Sequence, residues 1–254
     1  SAVNKREFIP HYQPQVCAQT RKLVGVEALV RWLHPARGLL APVDFLDVAE
    51  ETGLLMEIDH LVVAQACCQR MIWQQTLTQN SDVDENFKIA INISARHLKY
   101  DSFVDSMQRV FDQWDLDPKL VELEIVESEL VQDFEQAVSV IKKLNEMGIE
   151  TAIDDFGTGY SSLSYLRHLH VETLKVDRSF LEEVPDEHSA CKLLKGLINL
   201  GKSMELNVVV EGVETKQQLE ICEQFQADMV QGYYFSKPLN AYQFEVFYKN
   251  HETF

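Results

Sequence analysis

The chain has 254 residues, 46% of them hydrophobic and 25% charged, with a formal charge of −17. That length fits two average domains or one large α/β barrel, and the composition is that of a globular protein with a sizeable core. The acidic balance argues against sequence-independent binding of DNA or RNA and against anionic membrane surfaces, although metal ions could still bring in a phosphate-bearing ligand.

No apolar run approaches the roughly 18 residues that a membrane span needs. The polar start "SAVNKREF" does not read as a signal peptide. The five cysteines, Cys17, Cys67, Cys68, Cys191 and Cys222, are irregularly spaced and form no C-x-x-C. They read as free thiols of a reducing cytoplasm. His168 and His170 stand too close together for a helical metal pair and read as a surface turn.

Taken in chain order, Phe8 to Val16 and Leu23 to Trp32 are β-rich runs joined by "CAQTRK", which predicts a hairpin. A helical region follows, with Pro42 suited to a first helical turn and apolar residues at helical spacing in "VDFLDVAEETGLL" and "HLVVAQACCQRMIWQQ". "TQNSDVDEN" reads as a polar loop. Beyond it the pattern alternates. "FKIAINIS" precedes a helix around Phe103 to Trp114, and "LVELEIVE" precedes one from about Asp133 to Met147 with Gly148 as its stop. "IETAIDD" precedes "SSLSYLRHL", and "VETLKVD" precedes a helix around Ala190 to Met204. "LNVVVEG" precedes "TKQQLEICEQF", and "ADMVQG" precedes "AYQFEVFYKN".

Strand-then-helix alternation implies parallel strands with helical crossovers. The leading expectation is one modified TIM-type (β/α)8 barrel, with one strand made antiparallel by the opening hairpin. A doubly wound open sheet is the alternative, but no G-x-G-x-x-G follows the first strand. With no linker or low-complexity segment in view, residues 1–254 read as a single domain, excised from a longer multidomain protein.

The strand ends carry a pattern. They deliver Glu27, Asn92, Glu124 with Glu127, Asp154 with Asp155, Lys175 with Asp177, Glu211 with Glu214, and Gln231. In a parallel barrel these ends converge on one face, where barrel enzymes keep their sites. Two unit charges 4 Å apart repel by about 4 kcal/mol at an effective dielectric near 20, so clustered carboxylates need cations or protons. All-oxygen donors suit Mg²⁺ or Mn²⁺ rather than zinc. An adjacent Asp pair can bridge two metals. Lys175 is the lone cation of this mouth, placed to orient a water or contact a phosphate oxygen, or else to pair with Asp177.

"YQP", "VEALVRW", "NIS", "ELEIVES", "DDFGTGYSSL", "LKVDRSF", "VEGVET" and "QGYYFSKP" occur here in that order. The ordered set, from about Phe8 to Pro238, resembles the EAL domain of bacterial cyclic di-GMP phosphodiesterases. The resemblance implies a modified barrel, two Mg²⁺ or Mn²⁺ ions, and hydrolysis of one phosphodiester bond of cyclic di-GMP to linear pGpG. It implies that Glu27, Asn92, Glu124 and Asp154 hold one ion. Asp154 would be the bridge, and Asp155 with Asp177 or Glu211 would hold the second. Lys175 would hold the attacking water, Gln231 would be a further catalytic-site residue, and Glu211 is a candidate general base. Gln13, Leu29, Arg31 and Pro238 would contact substrate. The loop Phe156, Gly157, Thr158 and Gly159, anchored by Glu127, resembles one that couples dimer contacts to metal binding. A homodimer, a linked sensor or GGDEF domain and a cytoplasmic location follow as expectations, with inner-membrane anchoring open to the full-length protein but no membrane contact by this segment. The alternative is a catalytically inactive cyclic di-GMP receptor, but no ligand position departs from the pattern. The "DFG" of Asp155 to Gly157 is also found in protein kinases, whose Gly-rich loop and His-Arg-Asp motif are absent.

Overall fold

The computed structural model describes residues 2–3, 5, 7–77, 87–158 and 166–250, without the side chains of 131–133. Strands β1 (Phe8–Cys17) and β2 (Leu23–His34) form the expected hairpin. β2 then starts a parallel series with β4 (Lys88–Asn92), β5 (Val121–Val126), β6 (Glu150–Phe156), β7 (Thr173–Val176), β8 (Asn207–Val210) and β9 (Met229–Gln231). β1 is antiparallel to both β2 and β9 and closes the ring. The result is an α/β barrel with the single antiparallel strand near the N-terminus. The short β3 (Gly38–Leu40), which the sequence pattern did not signal, extends β2 outside that ring.

Pro10 and Pro14 lie on β1 without breaking it. They share the parity of Tyr12, whose N–H points away from β2 to the Leu239 carbonyl at 2.7 Å. A proline is tolerated in a strand where its missing donor faces no continuous ladder. The helical region after Pro42 is a 3-10 turn (Pro42–Asp44), α1 (Leu46–Glu51) and the 22-residue α2 (Leu55–Thr76). Next come α3 (Ser102–Trp114), α4 (Phe134–Glu146), α5 (His188–Ser203), α6 (Lys216–Gln224) and α7 (Ala241–Asn250). The expected helix ends agree to within two or three residues, and Gly148 stops α4 at φ 97°. The "TQNSDVDEN" loop and most of "SSLSYLRHL" lie outside the described residues.

Alternation along the strands sorts the side chains. Ile89, Ile91, Leu123, Ile125, Ile153, Leu174, Val176, Val208 and Val210 are fully excluded from water and pack outward under the helices. The intervening residues point into the barrel, and many are polar: Asn92, Glu122, Glu124, Asp154, Thr173 and Lys175. An ordinary barrel fills this space with Val, Ile and Leu.

The cysteines are all free, Cys67 and Cys222 being buried. His168 is exposed in a turn, as expected, and His170 is exposed in the irregular segment just after it. Among the described residues no helix is long and apolar enough to cross a membrane.

Candidate active site

The inward-facing polar residues meet at the C-terminal end of the barrel around Lys175. Its ammonium is fully buried and lies 2.7 Å from Glu124 Oε2, 2.7 Å from Glu211 Oε1, 3.1 Å from Asp154 Oδ1 and 3.6 Å from Glu27 Oε1. An unpaired buried charge costs several kcal/mol, and these four acids give the ammonium its partners. Asp177 is not one of its partners. β7 ends at Val176, so Asp177 begins the next turn and its Oδ1 accepts from Ser179 N at 3.1 Å.

One ammonium against four carboxylates leaves formal negative charge in excess, and the titration of the acids reflects it. Burial, with the charge of Glu27 second, pushes Glu124 well above the carboxylate range. Burial pushes Glu211 up to about 8 against the pull of Lys175. Asp155, half-buried, rises to about 6 through burial and the charges of Asp154 and Asp177. Burial acts the same way on Glu27, but Lys175 and hydrogen bonds from Gln231 and Asn92 hold it below its ordinary value. The carboxylates also raise Lys175 far above the usual lysine range, outweighing its burial.

The amides order this layer. Asn92 Nδ2 donates to Glu27 Oε1 at 2.5 Å. Gln231 Nε2 donates to Glu27 Oε2 and, at 3.1 Å, to Gln13 Oε1, while Gln13 Nε2 donates to the Ser236 carbonyl. Asp154 Oδ1 also accepts from Asp155 N at 2.9 Å, which accompanies a left-handed Asp155 at φ 54°. That conformation costs a non-glycine residue about 1–2 kcal/mol.

Glu27, Glu124 and Asp154 bring one oxygen each to within 4.8 Å of one another, and so do Asp154, Asp155 and Glu211. Asp154 belongs to both groups; Asp177 belongs to neither. Glu124 Oε1 and Gln231 Oε1 are buried without a hydrogen-bond partner. An unsatisfied buried acceptor costs about 1–3 kcal/mol, and a hard divalent cation would satisfy it. The residues fit such ions.

A cavity of about 420 Å³ opens over this layer. Gln13, Glu27, Leu29, Asn92, Asp154, Asp155, Glu211, Glu214 and Gln231 line it. Arg31 and Pro238 do not: Arg31 is half-buried and its Nη1 donates to the Val30 carbonyl at 2.8 Å. Glu127, the residue expected to anchor the loop, accepts from Gly157 N at 3.3 Å. Gly157 sits at φ 95°, and a Cβ there would lie 2.7 Å from Phe180 Cζ. Phe156 is buried, Thr158 Oγ1 donates to the Asp155 carbonyl at 2.8 Å, and Gly159 lies outside the described residues.

Strand-end reasoning missed other lining residues. Arg178 comes from the turn after β7, Tyr233 from the segment after β9, and Asp59 from α2. Asp59 Oδ2 accepts from Ser94 N at 3.0 Å and contacts His97 Nε2 at 3.1 Å, holding the turn that follows Asn92. Arg178 had a signal, since it directly follows Asp177 in "LKVDRSF". Asp59 had none that the strand pattern could provide.

The chain matches the family model described as EAL domain over residues 1–238. It is 37% identical over 95% of its length to the bifunctional diguanylate cyclase/cyclic di-GMP phosphodiesterase MucR of Pseudomonas aeruginosa. It is also 37% identical over 93% of its length to the cyclic di-GMP phosphodiesterase NbdA of the same organism. It spans only 34% and 30% of those two proteins. A solved structure of the Pseudomonas aeruginosa MucR phosphodiesterase in complex with c-di-GMP superposes with a TM-score of 0.88 at 36% identity, covering 96% of each chain. The chain therefore belongs to the EAL domain family.

Proposed function

We propose that this chain is a cyclic di-GMP phosphodiesterase that cleaves one phosphodiester bond to give linear 5′-pGpG and so ends a second-messenger signal. The single observation that carries the reading is the buried Lys175 cluster, whose acids form two oxygen-donor groups sharing Asp154 beneath a cavity. Its relatives' names supply the substrate.

Glu27, Asn92, Glu124 and Asp154 would hold one Mg²⁺ or Mn²⁺. Asp154, Asp155 and Glu211 would hold the second; Asp177 is less suited, since its Oδ1 caps a turn. When bound, such ions lower the pKa of water and neutralise charge on the phosphoryl oxygens.

The chain's own part is positioning. Lys175 is fixed by four acids, which supports a role in orienting the attacking water against the scissile phosphate. Gln231 and Asn92 orient Glu27. Gln13 and Leu29 on the cavity wall, with Arg31, Arg178 and Pro238 around the mouth, would bind the dinucleotide; a guanidinium suits a phosphate oxygen pair. Glu211 belongs to the second oxygen-donor group, which supports a ligand role, and it stays the candidate general base. The Glu127–Gly157 bond supports a role for this loop in linking a homodimer contact to Asp155.

The test is product chromatography after incubation with cyclic di-GMP and Mn²⁺, with and without chelator. Metal-dependent pGpG is expected. Tight binding without pGpG would leave only the receptor reading.

A further inference from the structure

Two side-chain pairs cross the inner face of β6 in parallel. In the upper pair, Lys175 of β7 donates to Glu124 of β5 at 2.7 Å. Two residues lower on both strands, the Thr173 hydroxyl donates to the Glu122 carboxylate at 2.5 Å. β5 and β7 are not neighbours, because β6 lies between them. The inward residue of β6 between Glu150 and Asp154 is Ala152, which is fully buried and, as a methyl, leaves room for the crossing. Lower still, Lys88 of β4 pairs with Glu150 of β6 past the intervening β5.

Glu122 is only 5% exposed. Burying a carboxylate is costly, and an apolar residue of similar size in the same place is often neutral or stabilising. Neither Glu122 nor Thr173 lines the cavity or belongs to either oxygen-donor group. The cost therefore needs a reason other than ligation or substrate contact.

We infer that Glu122 is a positioning residue: held by Thr173, it ties the inner faces of β5 and β7 together just below the site, so that Glu124 gives Oε2 to Lys175 and presents its unpartnered Oε1 to a divalent cation. The ladders of β6 with β5 and β7 set the strand spacing; without the lower pair, only the upper one would tie the two inner faces together across Ala152. This inference rests on the metal-site reading proposed above.

Mn²⁺ titration followed by electron paramagnetic resonance separates the two. Four proteins are compared: wild type, Thr173→Val, Glu122→Leu and Glu122→Gln, each shown to be folded by circular dichroism at the assay temperature. Thr173→Val and Glu122→Leu should weaken Mn²⁺ binding by about tenfold, the usual scale for groups that orient a metal ligand. They should lower kcat while leaving KM for cyclic di-GMP unchanged. Glu122→Gln keeps an acceptor for Thr173 and should restore both. Wild-type Mn²⁺ affinity in Thr173→Val would overturn the inference, as would Glu122→Gln behaving like Glu122→Leu, since charge rather than the cross-strand bond would then matter. If Glu122→Leu fails to fold, Thr173→Val decides alone. A wild type that binds no Mn²⁺ would instead overturn the metal reading. One that binds Mn²⁺ without producing pGpG would overturn hydrolysis and leave the cross-strand test intact.

Discussion

The two faces of each barrel strand carry opposite chemistry. The outer face of β4 to β8 is Ile, Leu and Val with no exposure, packed under helices, apart from the buried Thr151 of β6. The inner face of the same strands carries Asn92, Glu124, Asp154 and Lys175, joined by Glu211 just past β8, and holds net negative charge around one ammonium. Apolar burial contributes stability roughly in proportion to area, whereas clustered like charges oppose folding. Stability and chemistry are thus written in alternating letters of one sequence, and a one-residue slip of register would exchange them.

That contrast can be broken one face at a time. The largest effect expected is on chemistry: Lys175→Ala should abolish turnover and, without cations, lower the unfolding midpoint, because it leaves its four acids unpaired. Thermal melts with and without Mn²⁺ check this, and divalent ions should return part of the loss. On the outer face, Leu123→Ala should cost about 2–5 kcal/mol of stability, the range for emptying a close-packed site. It should leave the KM of the surviving folded enzyme near normal, which urea titration and steady-state kinetics would show together.

A pH series sharpens the same point. Asp155 and Glu211 retain protons to about 6 and about 8 in the fold, above the ordinary 3.8 and 4.5. The folded state then binds more protons than the unfolded one over that window, so stability falls as pH rises. Chelated protein should melt at lower temperature at pH 8 than at pH 5, with most of the change between about 4 and 8. Mn²⁺ should flatten the curve. A melting temperature that rises with pH in chelator would contradict this account of the inner face. The smallest effect concerns the loop: Gly157→Ala places a side chain at φ 95° against Phe180, for about 1–2 kcal/mol.

The sequence made the upper inner layer legible because strand ends announce themselves as acids and amides leaving apolar runs. It also made the hairpin legible, and with it the antiparallel strand. The partner of Lys175 was harder. Asp177 is its near neighbour in the chain, but the strand ends between them, and the four true partners come from β2, β5, β6 and the residue that follows β8. Glu122 and Thr173 escaped because attention to strand ends passes over residues two positions lower, although they share the parity of Glu124 and Lys175. Asp59 reaches the cavity from a helix, where no strand rule applies.

The most direct test pairs product analysis with a melt for a single substitution, Glu27→Ala. Glu27 sits in the first oxygen-donor group and receives hydrogen bonds from Asn92 and Gln231. With cyclic di-GMP and Mn²⁺, wild type should yield pGpG, while the variant should yield none and still unfold cooperatively within a few degrees of wild type. Near-normal turnover in Glu27→Ala would contradict the account, because the inner face would then not be the seat of the chemistry.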